Sequence, residues 1–227
     1  MRFLARMLDL IVPENCGACG RGEALFCLGC REALVRLLSP LCARCGAPTA
    51  WPVERCAECA GRRLPFVSAR AAVAYEGPAR RLVRAWKERG LRRLAREAAQ
   101  LVAEVVPQPS AAALAFVPGD LERTGWRGVN TAEALAHELS EAWEVPCESV
   151  LRRTGRSPPQ RGLPRAARRA NVRRAFEAQA SVPPRVVLVD DVYTTGATVA
   201  AAATELRRAG ARSVEVVTFA RAVRRAG

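Results

Sequence analysis

A stretch of thirteen residues near the end of the chain combines an apolar run, two adjacent acids and a turn rich in hydroxyl groups. It covers residues 186–198 and reads Val-Val-Leu-Val-Asp-Asp-Val-Tyr-Thr-Thr-Gly-Ala-Thr. The apolar run predicts a buried parallel strand over 186–189, and the small, apolar and then basic residues of 197–208 predict the helix that follows. The turn between them therefore lies at the carboxyl end of a strand and at the start of a helix.

This turn carries the groups that bind a phosphate. Its backbone N–H groups and hydroxyls can point at one anion, and the partial positive charge at a helix N-terminus favours that anion. The glycine lets the backbone come close to the ligand. An alternative interpretation is an ordinary strand-to-helix loop whose threonines only cap the helix. The predicted phosphate-binding residues are Thr194, Thr195, Gly196, Ala197 and Thr198.

The two acids come one step before this turn. Asp190 and Asp191 have the reach to accept hydrogen bonds from the vicinal hydroxyls of a ribose, or to face a hydrated Mg²⁺. Together with the phosphate-binding turn, they predict a site for a phosphorylated sugar.

The thirteen residues resemble the ribose-5-phosphate site of type I phosphoribosyltransferases. By this resemblance, the 194–198 loop holds the 5-phosphate of phosphoribosyl pyrophosphate, and Asp190 and Asp191 hold the ribose 2- and 3-hydroxyls as the catalytic pair. In such an enzyme the bond between C1 and pyrophosphate breaks through an oxocarbenium-like state. Mg²⁺ and cationic loops then stabilise the leaving pyrophosphate.

Eight of the nine cysteines fall before residue 60 as four Cys-x-x-Cys pairs. Two such pairs can bind one tetrahedral zinc ion, so four pairs predict two closed sites that hold structural zinc. Disulfides would need an oxidising compartment, and a redox Cys-x-x-Cys motif does not usually occur in four copies. The predicted zinc ligands are Cys16, Cys19, Cys27, Cys30, Cys42, Cys45, Cys56 and Cys59.

Spacing leaves open which pairs share a metal. Neighbouring pairs would enclose loops 20–26 and 46–55 and form two consecutive ribbons, whereas the first pair with the third would form a cross-braced module. We favour consecutive ribbons slightly. The ninth cysteine, Cys147, is predicted to be a buried small hydrophobe rather than a nucleophile.

The chain is strongly basic, with a formal charge of +14 and an isoelectric point near 10.7. Such a surface attracts polyanions such as nucleic acid, nucleotides or pyrophosphate. Of the 36 basic residues only Lys87 is a lysine, which suggests that its compact ammonium has a specific role, and we assign it to the ligand site. Aromatic residues make up only 5%, so any stacking platforms for nucleic acid are few, with Trp51, Trp86, Trp126 and Trp143 as candidates.

The length of 227 residues suits one ordinary domain and a small one. No apolar run is long enough for a membrane span. Charged residues interrupt the apolar segment 1–12, which argues against a signal peptide and favours the cytoplasm. We place the boundary between a cysteine-rich module at 1–63 and a second domain at 65–227.

Strands and helices alternate in the second domain. Apolar patterns predict strands over 67–75, 114–117, 147–151, 186–189 and 213–219, and helices over 77–106 with a break at Gly90, 131–143 and 197–208. This order predicts an α/β fold with a doubly wound, mostly parallel sheet, whose ligands gather at the carboxyl ends of the strands.

Two further segments can reach that edge of the sheet. Residues 152–174 hold nine arginines and no acid, and form either an anion-binding flap or a solvated basic loop. In residues 117–130, Arg127 and Gly128 precede a helix and can bind pyrophosphate, whereas Asn130 is explained equally by helix capping.

The order of these parts resembles the ComF family, which includes GntX, over nearly the whole chain. The resemblance implies a zinc-binding N-terminal module, a phosphoribosyltransferase-like core, and a role in natural competence together with single-stranded DNA and other DNA-uptake proteins. The alternative is an active phosphoribosyltransferase in nucleotide metabolism whose acceptor is unknown. Besides 190–198, the matching positions are Tyr75, Lys87, Gly90, Arg127, Gly128, Asn130, Gln160, Leu163, Arg169, Asn171, Val172 and Phe176.

Overall fold

The computed structural model describes residues 15–22, 24–119, 130–154, 175–179 and 181–223. These residues form five helices and six strands. In chain order they are α1 (Leu28–Glu32), β1 (Ser68–Ala74), α2 (Gly77–Arg89), α3 (Leu94–Val105), β2 (Ala113–Phe116), α4 (Thr131–Trp143), β3 (Leu151–Arg153), β4 (Phe176–Ala178), β5 (Arg185–Tyr193), α5 (Ala197–Arg208) and β6 (Ser213–Arg221).

Four of the strands form one parallel sheet in the order β1-β6-β5-β2. Helices α3 and α4 pack against each other, α4 also packs on β2 and β5, and α5 packs on β5 and β6. Apolar residues in the middle of β5 are buried because helices cover the sheet. The predicted α/β fold with a mostly parallel sheet and a small cysteine-rich module is therefore confirmed.

The remaining two strands, β3 and β4, form a separate antiparallel pair that packs near α5. The strand predicted over 147–151 is displaced, since Cys147 makes only an isolated bridge to Leu114 and regular pairing begins at Leu151. Its partner β4 was not predicted, because three residues are too few to show a period. The long helix predicted over 77–106 is interrupted as expected, and Gly90 ends α2 with a φ of 64°.

The motif strand is longer than its apolar run indicates. β5 continues through the two acids to Tyr193 because β6 pairs with it along this length, with Asp190 opposite Thr218 and Tyr193 opposite Arg221. Successive residues of a strand face opposite sides of the sheet, so Asp190 and Asp191 point away from each other. From sequence alone, the two acids are predicted just after the strand 186–189 and one step before the turn, where both can face one ligand.

The N-terminal module packs on the outer edge of the sheet, beside β1. Leu37 N–H donates to the carbonyl of Ala72 at 2.9 Å, and Ala74 N–H donates to the carbonyl of Val35 at 2.8 Å. These bonds occupy part of an edge that would otherwise be left unpaired. The module also shares one continuous apolar core with the sheet. Within the described ranges, no helix is both long enough and apolar enough to cross a bilayer.

Candidate sugar-phosphate site and zinc centres

The cysteines of the N-terminal module come together in two groups of four. Within each group the sulfur atoms all lie within 4.8 Å of one another. The groups are formed by neighbouring pairs, which confirms the consecutive-ribbon arrangement. Their members are Cys16, Cys19, Cys27 and Cys30 in cluster 1, and Cys42, Cys45, Cys56 and Cys59 in cluster 2.

Sulfur spacing fits zinc in both clusters. A tetrahedral site with Zn–S bonds of about 2.3 Å places its sulfurs about 3.8 Å apart. The Sγ atoms of Cys19 and Cys27 are 3.8 Å apart, and in cluster 2 the distances are 3.6 Å for Cys42–Cys59 and 3.5 Å for Cys45–Cys56. The nine cysteines are all free of disulfides. The two clusters therefore have the donor set and the dimensions of two structural zinc sites.

Backbone amides favour the thiolate form at one position of each cluster. Burial by itself raises the pKa of Cys16, but N–H groups of Cys27, Cys19 and Ala18 outweigh it and lower the pKa to about 6. In cluster 2 the pKa of Cys42 is also lowered to about 6 against the effect of burial. Metal ligands must be deprotonated, so these amides favour a cation at Cys16 and Cys42, whereas burial raises the pKa of Cys30 and Cys45.

The turn at 194–198, which is predicted to bind phosphate, lies at the carboxyl end of β5. Gly196 is the N-cap of α5, with a φ of 73°, and it offers no side chain to the free amides of the first turn. That turn also holds no acidic residue. The Ala197 N–H is bonded to the Thr195 hydroxyl at 3.3 Å, and both Thr194 and Thr195 are exposed. The start of α5 is thus open to an anion.

Asp191 is the buried member of the acidic pair. Its side chain is only 8% exposed, and Lys87 Nζ lies 2.7 Å from Oδ2 and 2.8 Å from Oδ1. The Thr131 hydroxyl donates a hydrogen bond to Oδ2 of the same carboxylate. The single lysine of the chain therefore lies at the predicted site, but it binds the protein's own acid.

Asp190 has a different environment. It is half-buried, and its Oδ1 accepts the Asp191 N–H at 2.9 Å. Burial and the neighbouring Asp191 raise its pKa to about 7, although Lys87 and Arg153 act in the opposite direction. Within the described part of the chain, no cationic group forms a salt bridge with Asp190. This carboxylate is the one that remains available to a ligand.

Asn130, just before α4, lies at the same edge of the sheet, next to the end of β2. Asn130 accepts a hydrogen bond from the Ala132 N–H at 3.2 Å, so it caps the helix, and it donates to the carbonyl of Val117 at 3.3 Å. The next residue is Thr131, which binds Asp191. Arg127, the predicted pyrophosphate ligand, lies outside the described residues. So do most of residues 152–174, including Gln160, Leu163, Arg169, Asn171 and Val172.

Four residues near the site were not predicted from sequence. No local pattern marks Thr131, whose partner is 60 residues away, and the motif by itself assigns no role to Tyr193. Arg62 donates to the carbonyl of Thr195 at 2.8 Å, and the guanidinium of Arg221 lies 4.5 Å from the centroid of the Tyr193 ring. In a chain so rich in arginine, neither arginine stands out by residue type.

The three described tryptophans differ in exposure. Trp86 is fully buried, Trp143 is 6% exposed and Trp51, on the cluster 2 ribbon, is 69% exposed. Trp51 is therefore the one of the three that can offer a ring to another molecule. Trp126 lies outside the described residues. The predicted burial of Cys147 is partial, and burial raises the pKa of its thiol to about 11.

Comparison with known proteins gives consistent results along the chain. Residues 7–60 match the double zinc ribbon domain. The DNA utilization protein YhgH of Salmonella typhimurium is 31% identical over 91% of this chain and 96% of its own length. Competence protein F of Haemophilus influenzae is 29% identical over 87% of this chain and 90% of its own length.

Solved structures match a smaller part of the chain. An allosteric regulatory enzyme of purine biosynthesis is 25% identical over 56% of this chain and 25% of its own, with a TM-score of 0.40. Glutamine phosphoribosylpyrophosphate amidotransferase from B. subtilis, complexed with ADP and GMP, is 26% identical over the same shares, with a TM-score of 0.37. The chain thus spans a quarter of these larger proteins. With its paired zinc ribbons, its parallel sheet and relatives that match it almost from end to end, this chain belongs to the ComF family.

Proposed function

We propose that this protein acts in DNA utilization during natural competence, and that it binds phosphoribosyl pyrophosphate or a related ribose phosphate at residues 190–198. The names of its relatives support the first part. The second part rests on one observation: an available carboxylate, Asp190, and an uncapped helix N-terminus lie together at the carboxyl end of β5. The carboxylate can accept hydrogen bonds from the ribose hydroxyls, and the free N–H groups at the start of the helix can bind the phosphate. Together they suit the two ends of a ribose 5-phosphate.

The two acids then have separate roles. Asp190 accepts hydrogen bonds from ribose hydroxyls, and it also faces a hydrated Mg²⁺ when the ligand carries one. Asp191 has a structural role, because it links β5 to α2 through Lys87 and to α4 through Thr131. Lys87 is 38% exposed, so its ammonium adds positive potential next to the ligand while it remains paired. From the sequence, Arg127 is the proposed ligand of the pyrophosphate group.

Single-stranded DNA is the proposed macromolecular partner. The charge of +14 favours any polyanion, and Trp51 provides an exposed ring on the cluster 2 ribbon for a base to stack on. The zinc ribbons are consistent with a reducing compartment such as the cytoplasm.

Calorimetric titration tests the ligand site directly. Ribose 5-phosphate, phosphoribosyl pyrophosphate and inorganic phosphate are titrated in turn into zinc-loaded protein, with and without Mg²⁺. We expect ribose 5-phosphate to bind more tightly than inorganic phosphate, and Mg²⁺ to strengthen only the pyrophosphate compound. Equal affinity for ribose 5-phosphate and inorganic phosphate would contradict a sugar site.

A second candidate function is phosphoribosyl transfer. The pKa of Asp190, at about 7, is suited to a group that accepts a proton at neutral pH. In this reaction the acceptor forms a bond to C1, the bond from C1 to pyrophosphate breaks, and the acceptor proton passes to Asp190. The assay measures pyrophosphate release with candidate acceptors, in the presence and absence of single-stranded DNA. Tight ligand binding with no release under any of these conditions would favour a binding role alone.

A further inference from the structure

Arg221 is the most deeply buried cation of the described residues. It is the last residue of β6 and is only 2% exposed. Nη1 donates to the carbonyl of Cys45 at 2.6 Å, and Nη2 lies 2.8 Å from Oε2 of Glu58 and 3.7 Å from Sγ of Cys45. A buried guanidinium is tolerated only when it is paired in this way. All three contacts are with the cluster 2 ribbon. Two of them are with Cys45, and one of these is with its Sγ atom.

The other side of the same guanidinium faces the motif strand. Its central carbon lies 4.5 Å from the centroid of the Tyr193 ring, which is a cation–π contact in a buried setting. Phe66 meets the same ring edge-on, with centroids 6.4 Å apart. Backbone bonds fix both ends of the pair, because Tyr75 N–H donates to the Arg221 carbonyl at 2.6 Å and Ala222 N–H donates to the Tyr193 carbonyl at 2.9 Å.

Tyr193 in turn supports the phosphate loop. A Cβ atom built on Gly196 would clash with the Tyr193 hydroxyl and ring, so the loop backbone is in direct contact with this side chain. The cluster 2 ribbon also contacts the loop directly. Arg62, three residues after the last ligand of cluster 2, donates to the Thr195 carbonyl at 2.8 Å. Two separate contacts thus join cluster 2 to the residues that bind phosphate.

Cluster 1 is placed differently and provides an internal control. Arg81 of α2 donates to the carbonyl of Ala18 at 2.7 Å, and Gly17 packs against Leu82 and Leu94. Arg31 pairs with Glu97 of α3 at 3.3 Å. Within the described ranges, none of these contacts reaches residues 194–198.

We propose that zinc in cluster 2 positions the phosphate loop through Arg221 and Tyr193, so that metal and ribose phosphate stabilise each other. Arg221 is a positioning residue: it holds a zinc ligand on one side and the support of the loop on the other. This inference rests on the proposed function, since it concerns the same loop. Thermodynamic linkage is reciprocal. If zinc in cluster 2 raises the affinity for the ligand by some factor, the ligand must raise the affinity of cluster 2 for zinc by the same factor.

The first test is zinc release to a chromophoric chelator, with and without saturating ribose 5-phosphate. The Cys19→Ser variant assigns the phases, because it disables cluster 1 alone. In the wild type we expect the ligand to slow release from cluster 2 by about fivefold or more and to leave cluster 1 unchanged. Arg221→Met should abolish the difference. Ribose 5-phosphate that binds the wild type but leaves both release rates unchanged would overturn the inference, while the proposed function would stand.

The second test uses variants that preserve packing. Tyr193→Leu removes the aromatic face, and Tyr193→Phe keeps it. We expect ribose 5-phosphate to slow zinc release from cluster 2 in Tyr193→Phe but not in Tyr193→Leu. Melting curves report whether each variant folds. Equal coupling in the two variants would exclude the ring as the link.

Hydrogen exchange decides the inference even without a ligand. Peptides covering residues 194–198 should exchange faster in Arg221→Met than in the wild type, whereas peptides from α2 should not change. If ribose 5-phosphate does not bind the wild type, the proposed function fails, and the exchange data still show whether Arg221 supports the loop. Unchanged exchange of the loop in Arg221→Met would overturn the inference independently.

Discussion

The ammonium of Lys87 and the carboxylate of Asp191 meet at 2.7 Å, although 104 residues separate them in the chain. This pair ties α2 to the carboxyl end of the motif strand. It also distinguishes the two acids of the motif, because Asp191 forms a salt bridge and Asp190 forms none with the described residues. Asp190 is therefore the carboxylate of the pair that is open to a ligand in the proposed site, and the charge of Lys87 is already partly balanced.

Replacing the acids one at a time should separate their roles. Asp191→Asn leaves Lys87 without its acid, so we expect a loss of about 1–2 kcal/mol in the free energy of unfolding, moderated because Lys87 is partly exposed to water. Asp190→Asn should keep or raise the stability at pH 8 and should weaken ribose 5-phosphate by about tenfold or more, since a charged acceptor is lost. Denaturant unfolding and calorimetry measure the two effects. A matching loss of stability in both variants would contradict this division.

The stability that Asp190 contributes should fall as the pH rises. Its pKa moves from 3.8 to about 7 on folding, so the folded chain holds this proton more tightly than the unfolded chain does. That contribution is present below about pH 4 and is lost as the pH rises through 7. The free energy of unfolding of Asp190→Asn relative to the wild type should therefore increase between pH 4 and 7 and then level off. A difference that stays constant over this range would show that the group is not perturbed.

Ligand binding should show the opposite trend, because only the ionised carboxylate accepts both hydroxyl protons. Wild-type affinity for ribose 5-phosphate should rise through pH 7, beyond the rise due to ionisation of the phosphate itself near pH 6. In Asp190→Asn, the rise in affinity caused by ionisation of the phosphate should remain, and the additional rise through pH 7 should disappear. This variant is thus the control for the ligand's own titration.

Gly196 should not tolerate a side chain. Gly196→Ala combines a positive φ of 73° with a clash against the Tyr193 hydroxyl, so we expect ribose 5-phosphate binding to be lost. Gly20→Ala is a matched control, because Gly20 has the same φ but no atom within 4 Å of its Cβ position. Calorimetry and melting temperatures should show the strain in both variants and the loss of binding only in the first. Equal binding in both would exclude the clash.

Metal analysis should find close to two zinc ions per chain. In the folded, loaded protein, Cys147 should be the thiol that reacts with a thiol reagent, and slowly, because burial raises its pKa to about 11. Chelation should expose the other eight. An N-terminal module that stays folded without metal would contradict the structural role of zinc.

Trp51 should contribute to binding of single-stranded DNA. Trp51→Ala should reduce the affinity by about 5- to 100-fold, the effect of losing one stacked base, and Trp51→Phe should keep most of it. Fluorescence anisotropy measured over a salt series separates stacking from charge, since the salt slope reports phosphate contacts and should not change. An affinity unaffected by Trp51→Ala would locate the DNA elsewhere.

Local patterns in the sequence determined much of this protein. The alternation of apolar runs specified the strands and helices, because burial on one or two faces imposes a period that can be counted. The four Cys-x-x-Cys pairs predicted two metal sites, because two thiolates at that spacing already share one turn. In the same way, Asp190 and the turn at 194–198 marked the candidate ligand site, because they follow one another in a strand, a turn and a helix.

Tertiary structure decided what local spacing could not. It chose consecutive ribbons over a cross-braced module, because that choice depends on how the loops pack. It gave Asp191 the partners Lys87 and Thr131, and it extended β5 so that two adjacent acids face opposite sides of the sheet. It also placed Arg221 between a cysteine ligand and Tyr193. Each of these contacts joins residues far apart in sequence, so it exists only once the sheet and the module have packed together.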